Sequence, residues 1–208
     1  MPSPKVRARQ QATANAIIEA AAAVMAESGA AGLSLGEVAR RVGMRPPSLY
    51  EYFDSRAALC DEVFRRGWHL FGQLADGIAV TRETDLKHLL ETGLRKGVAW
   101  ALGHRAYAEL MFWRPIPHWQ PAPDAFAPAV ASLASLGRLF REAQRVGLLS
   151  NDVETEELVQ VWSAVTTGVI SQQLSNEPDI DPDQGRVSRY APSLVAMFVH
   201  HYGPKEAS

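Results

Sequence analysis

Apolar residues recur at three- and four-residue spacing along most of this chain, and no segment offers strict alternation or the Asn-Gly turn of a hairpin. That pattern confines the chain to an all-α fold. In a first helix, about Thr13 to Ser28, Ile17, Ala21, Val24 and Met25 fall on one face, and Gly29 supplies a C-terminal stop. Ser34 with Glu37 three residues on has the pattern of a capping box, opening a second helix striped by Leu35, Val38, Ala39 and Val42. Gly43 ends it after about two turns, and Pro46 and Pro47 suit the first turn of a third, very short helix. A fourth begins at Asp54 or Ser55, with Leu59, Val63, Leu70 and Leu74 on a face.

Further along, Leu86, Leu90, Leu94 and Trp100 mark a helix over about Thr84 to Leu102, followed by a shorter one near Tyr107. Four prolines between Arg114 and Pro123 impose a loop. Long helices are expected over about Phe126 to Val146, Thr155 to Ser175 and Arg186 to Tyr202, with Pro192 kinking the last or marking its real start. No run approaches the roughly 18 apolar residues of a membrane span. Lys5, Arg7 and Arg9 lead into polar sequence, unlike a signal peptide, so a cytoplasmic protein is expected. Cys60 is alone, which leaves no intrachain disulfide and makes it a small apolar residue.

Two short helices joined through a glycine turn, as over Leu33 to Leu59, form a helix-turn-helix, whose first helix braces the second against the major groove. Charge is distributed in keeping with this. Through Trp68 there are 9 Lys/Arg against 7 Asp/Glu, and beyond it 12 against 16. The run Ser48-Leu-Tyr-x-Tyr-Phe-x-Ser-Arg-x-x-Leu59 closely resembles the tetracycline-repressor (TetR) family, over roughly residues 10 to 68. The resemblance implies a three-helix DNA-binding domain at 1–56 and a larger ligand-binding and dimerisation domain at 57–208. It further implies a ligand-released repressor, homodimeric on a palindromic operator. It places Arg45, Pro47, Ser48, Tyr50 and Tyr52 towards DNA, with Ser34 and Arg56 fixing the register at the flanks. Arg45 suits base readout, because a guanidinium pairs with guanine O6 and N7, and the tyrosine hydroxyls suit phosphates. Leu49 and Phe53 are bracing core. The competing roles are partly buried aromatics for Tyr50 and Tyr52 and a solvated charge for Arg56. Lys5, Arg7 and Arg9 would make a flexible arm along the phosphate backbone. Pro46 with Pro47, Arg45 at the N-cap and Gly36 depart from the family pattern.

Ala108 to Phe112, Gly147 to Leu149 and Trp162 to Leu174 resemble effector domains of that family. By that analogy the last two helices pair with their symmetry mates, with Leu194, Met197, Phe198 and His201 as the seam. Trp100, Tyr107, Met111, Phe112, Trp113, Trp119, Phe126 and Trp162 are candidates to line an apolar pocket for a hydrophobic or aromatic effector, each with ordinary core packing as its alternative. His104, His118 or Thr166 would add polar contacts. No cofactor or metal is expected, because the six histidines lack ligand spacing and no phosphate loop or nucleophile elbow appears. An enzyme is therefore the weaker rival reading. A helical ligand-binding protein without DNA binding is the other, and the Arg45-Pro46-Pro47 departure is its support.

Overall fold

A computed structural model describes residues 3–204, and within them every regular element is a helix. The α-helices are α1 (Pro4–Ser28), α2 (Leu35–Arg41), α3 (Pro46–Leu49), α4 (Arg56–Gly72), α5 (Leu86–Gly103), α6 (Arg105–Phe112), α7 (Ala127–Arg145), α8 (Thr155–Asn176) and α9 (Ala191–Tyr202). Single 3₁₀ turns at Ala30–Gly32, Gln73–Ala75, Pro123–Phe126 and Ser188–Tyr190 punctuate the connections. Among the described residues no helix is long and apolar enough to cross a membrane. The chain divides into two compact units, Met1–Trp68 with Arg105–Ala127, and His69–His104 with Pro128–Ser208.

In the first unit the α1 stripe packs as its spacing requires, with Ile17, Ala21, Val24 and Met25 buried together with Val38, Ala39, Leu49, Leu59, Val63 and Phe64. Gly67 is small where α4 meets α6, because a Cβ there would lie 2.5 Å from Met111 Sδ and 3.3 Å from Tyr107 Cβ. Arg66 of α4 pairs with Glu19 at 2.8 Å, and Arg56 of the same helix bonds the Ala31 carbonyl at 2.7 Å. α1 and α4 therefore run antiparallel. The 113–122 loop is stapled to α4: Trp119 Nε1 and the Ala122 N–H both donate to Asp61 Oδ1, at 3.1 and 3.3 Å.

The start of α1 corrects an expectation. Lys5, Arg7 and Arg9 are helical, not a flexible arm, because Ser3 accepts a hydrogen bond from the Val6 N–H and Pro4 sits at the first helical position. Alanine and glutamine then carry the helix unbroken into its buried half.

In the second unit, α5 packs on α8 and α9 through Leu86, Leu90, Leu94, Gly97 and Val98. α7 ends in a Schellman motif, with Gly147 at φ 81° and the Leu148 N–H bonded to the Ala143 carbonyl at 2.8 Å. The last helix starts at Ala191, not near Arg186. Pro192 occupies its first turn, where no N–H is needed, and residues 188–190 form a separate 3₁₀ turn.

Candidate nucleic-acid interface

The turn between α2 and α3 follows from Gly43. Its φ of 67° lies in the left-handed region, which lets its N–H bond the Arg40 carbonyl at 3.2 Å while the Met44 N–H bonds that of Ala39 at 2.9 Å. Those two bonds close a Schellman motif and aim the chain into α3. Arg45 has extended backbone (φ −77°, ψ 142°) at the N-cap, as a residue before proline must, and Pro46 and Pro47 start the turn. α3 is a single turn, extended by the Tyr50 N–H to Pro47 O bond at 3.2 Å and the Phe53 N–H to Leu49 O bond at 3.0 Å.

Burial separates two sides of this segment. Leu49 and Phe53 are buried, whereas Arg45, Pro46, Pro47 and Tyr50 face solvent, Tyr50 at 51% exposure. Ser48 and Tyr52 are half-buried. Among the described residues no carboxylate pairs with Arg45.

The neighbouring cations are committed elsewhere. Arg40 makes a two-bond pair with Glu37, at 2.8 and 2.6 Å, and Arg41 bridges Glu37 at 2.9 Å and Glu27 at 2.5 Å. The bonds from Arg40 first, then Arg41, hold the Glu37 carboxyl down to about 2, and Arg41 lowers Glu27 likewise. Ser34 is exposed and caps α2, its Oγ accepting from the Glu37 N–H at 3.4 Å. The reciprocal half of the capping box is missing, because the Glu37 carboxylate has taken the arginines instead. Arg56 bonds the Ala30 and Ala31 carbonyls through Nη2, and its Nε is buried without a partner. Asp61, Glu19 and Arg41 join elements of this unit through Trp119, Arg66 and Glu27, partners distant in sequence that no local spacing marks.

The eleven candidate effector residues are divided between the units. In the first, Tyr107 is buried and its hydroxyl donates to Glu19 at 3.4 Å; burial, then the Glu19 charge, pushes it up to about 12. Met111 packs on Gly67, and Trp119 and Phe126 meet Phe64 edge to face at 6.0 and 5.2 Å. Phe112 meets Trp68 at 5.7 Å, and Trp113 is partly exposed. His118 is exposed and holds a left-handed φ of 60° in the loop. In the second unit, Trp100 stacks on His104 at 4.8 Å, and Trp162 packs on Phe198 at 5.2 Å. Thr166 differs from the rest: its hydroxyl oxygen is buried and has no hydrogen-bond partner. Among the described residues no group of His, Cys, Asp and Glu is arranged to hold a metal ion.

Comparison with known proteins bears on both units. Residues 17–63 match the family model of bacterial regulatory proteins, tetR family. The HTH-type transcriptional regulator YobS of Bacillus subtilis is 36% identical over 32% of this chain and 35% of its own length. The HTH-type transcriptional regulator Rv1816 of Mycobacterium tuberculosis is 27% identical over 70% of this chain, which spans 61% of that regulator. The crystal structure of the transcriptional regulator FadR from Bacillus subtilis, in complex with stearoyl-CoA, shares the fold at a TM-score of 0.68 and 16% identity. That alignment covers 88% of this chain and 96% of FadR. Residues 17–63, which include the outward-facing third helix, thus carry the helix-turn-helix segment of the bacterial regulatory proteins of the tetR family, and over 70% of its length the chain is similar to an HTH-type transcriptional regulator.

Proposed function

We propose that the protein is a ligand-released transcriptional repressor that acts in the cytoplasm as a homodimer on a palindromic operator. Residues 1–56 are the DNA-binding head, and 57–208 the ligand-binding and dimerising part. The observation that carries this reading is the two-sided segment 45–53. Leu49 and Phe53 anchor it from within, and Arg45, Pro47 and Tyr50 are presented outward with the Arg45 charge uncompensated. Arg45 reads a guanine edge, Pro47 meets a thymine methyl, and Ser48 reaches a base edge or phosphate. Tyr50 and Tyr52 bond phosphates, with Ser34 and Arg56 at the flanks. Two heads must then fit half-sites roughly 34 to 36 Å apart.

The dimer reading is supported by an unpartnered face of the second unit. On α8, Val161, Ala164, Gly168 and Gln172 are exposed at helical spacing, and added bulk at Gly168 would meet nothing. On α9, Met197 is 67% exposed and His201 is exposed, while Leu194 is half-buried. Phe198 points into its own unit against Trp162 and Phe140, so it supports the seam from behind instead of forming it. An effector of apolar character is supported by the unpartnered Thr166 hydroxyl, a polar handle inside an apolar unit, and by the stearoyl-CoA that FadR holds on this fold.

Selection of bound DNA from a random pool, followed by gel shifts, tests the reading. A palindrome should emerge, with Arg45→Ala weakening binding about 10- to 100-fold and relaxing preference at one position of each half-site. Tyr50→Phe should weaken all sequences alike. Recovery of no enriched sequence would refute it.

A further inference from the structure

A groove of about 220 Å³ lies in the second unit between the face of α5 from His88 to Val98, the connection from α8 to α9, and the start of α9. None of the eleven candidate effector residues lines it. Its floor is apolar, formed by Leu94 and Val98, and its rim carries both signs of charge, Glu91 and Arg95 on α5 and Asp183 and Arg189 opposite.

The far wall is built more firmly than a connection requires. Helix connections in bundles take about 2 to 8 residues, whereas residues 177–190 form a long one that is wired into the core. Gln173, only 2% exposed, donates to the Glu177 and Ile180 carbonyls at 2.7 and 2.9 Å. Ser188, 6% exposed and part of the groove lining, shares its hydroxyl proton between Gln173 Oε1 at 2.7 Å and the Pro182 carbonyl at 2.6 Å. Gly185 leaves room for that contact, since a Cβ there would fall on both side chains. The Arg186 N–H and the Glu177 carboxylate close the base of the connection at 2.6 Å. A wall whose buried polar groups are satisfied in this way is fixed in place.

The charges on the rim are unequally used. Arg95 and Asp183 pair at 2.9 Å. Glu91 has no partner among the described residues. Arg189 has only the Tyr190 ring, 4.9 Å from its guanidinium carbon, and that residue's hydroxyl. One free carboxylate and one guanidinium without a carboxylate thus look onto the same apolar floor. A simple anion would meet Glu91 and Asp183, and a simple cation would meet two guanidinium groups. A ligand carrying both charges suits the rim better than either.

We propose that this groove binds a small zwitterion of the α-amino-acid class, its carboxylate on Arg189, its ammonium on Glu91 and its side chain on Leu94 and Val98. The site stands apart from the DNA-binding reading, so its test uses no DNA. The full chain is heated with each of the standard amino acids at about 10 mM, and any that raises the melting temperature is titrated by calorimetry. At least one should stabilise the protein, with a dissociation constant in about the millimolar range or tighter. Its decarboxylated amine and its deaminated acid should each bind about tenfold or more weakly, as should the parent amino acid to Arg189→Ala and to Glu91→Gln. Both substituted side chains lie on the rim, and unchanged melting without ligand verifies that the variants fold. Stabilisation by no amino acid, or stabilisation that survives both substitutions, overturns the assignment.

Discussion

Substituting alanine at Gly43 and, separately, at Gly36 should change stability in opposite directions, although the two glycines lie seven positions apart in one motif. At Gly43 an added Cβ has nothing within 4 Å, so packing contributes nothing to the cost. The cost is the backbone's: a φ of 67° forces a Cβ-bearing residue into the left-handed region, at about 1–2 kcal/mol. Gly36 lies in the first turn of α2, has ordinary helical surroundings, and its added Cβ would approach only Ser34 Oγ, at 3.8 Å. Alanine there lowers the entropy of the unfolded chain and should stabilise by up to about 1 kcal/mol. Equilibrium urea unfolding at one fixed protein concentration reads both. With a slope of about 2–3 kcal/mol/M, Gly43→Ala should lower the midpoint by about 0.3–1 M and Gly36→Ala should raise it. The same Gly43 variant should lose operator affinity, because the motif that aims α3 is strained. A neutral Gly43→Ala, or two shifts of one sign, would show that the left-handed turn is not what sets α3.

Two further outcomes follow from the first unit. Burial, as the dominant cause, pushes the Cys60 thiol up to about 11, so the native protein should resist a thiol reagent at pH 8 and react fully once unfolded in urea. Glu37 titrates near 2 when folded against about 4.5 unfolded, so its stabilisation is complete above pH 4.5 and is lost as pH falls towards 2. The loss measured between those limits should shrink in Glu37→Gln and in molar salt, because Arg40 is exposed and Glu37 and Arg41 remain partly open to solvent.

Legibility in the sequence followed the range of the interactions involved. The stripe Ile17, Ala21, Val24, Met25, the stops at Gly29, Gly43 and Gly147, and the proline loop are all set by residues within a turn or two of one another. They could be read directly. The start of α1 is less legible because polar, weakly periodic sequence looks like a tail, although a serine cap and a proline at the first position are themselves start signals. The α9 start was less legible. Pro192 admitted either a kink or a beginning, and the 3₁₀ turn that decides between them depends on Ser188 being held by Gln173, fifteen residues away.

The candidate DNA face and the candidate effector residues differ for the same reason. Whether Arg45 and Tyr50 point outward is decided by Leu49 and Phe53 on the same short segment, so local spacing reaches the answer. A pocket is assembled from residues distant in sequence, and an aromatic side chain suits packing and ligand contact equally well. Trp119 illustrates the difficulty: its indole N–H is taken by Asp61, a partner 58 positions away that no spacing rule nominates, and this makes it a staple of the loop. Thr166 carries the converse signal, a hydroxyl buried without a partner, which costs free energy unless something supplies the missing hydrogen bond. Within the second unit, an unsatisfied polar atom is thus a stronger pointer to a ligand than the aromatic residues beside it in the chain, because packing alone accounts for the aromatics and leaves the hydroxyl unexplained.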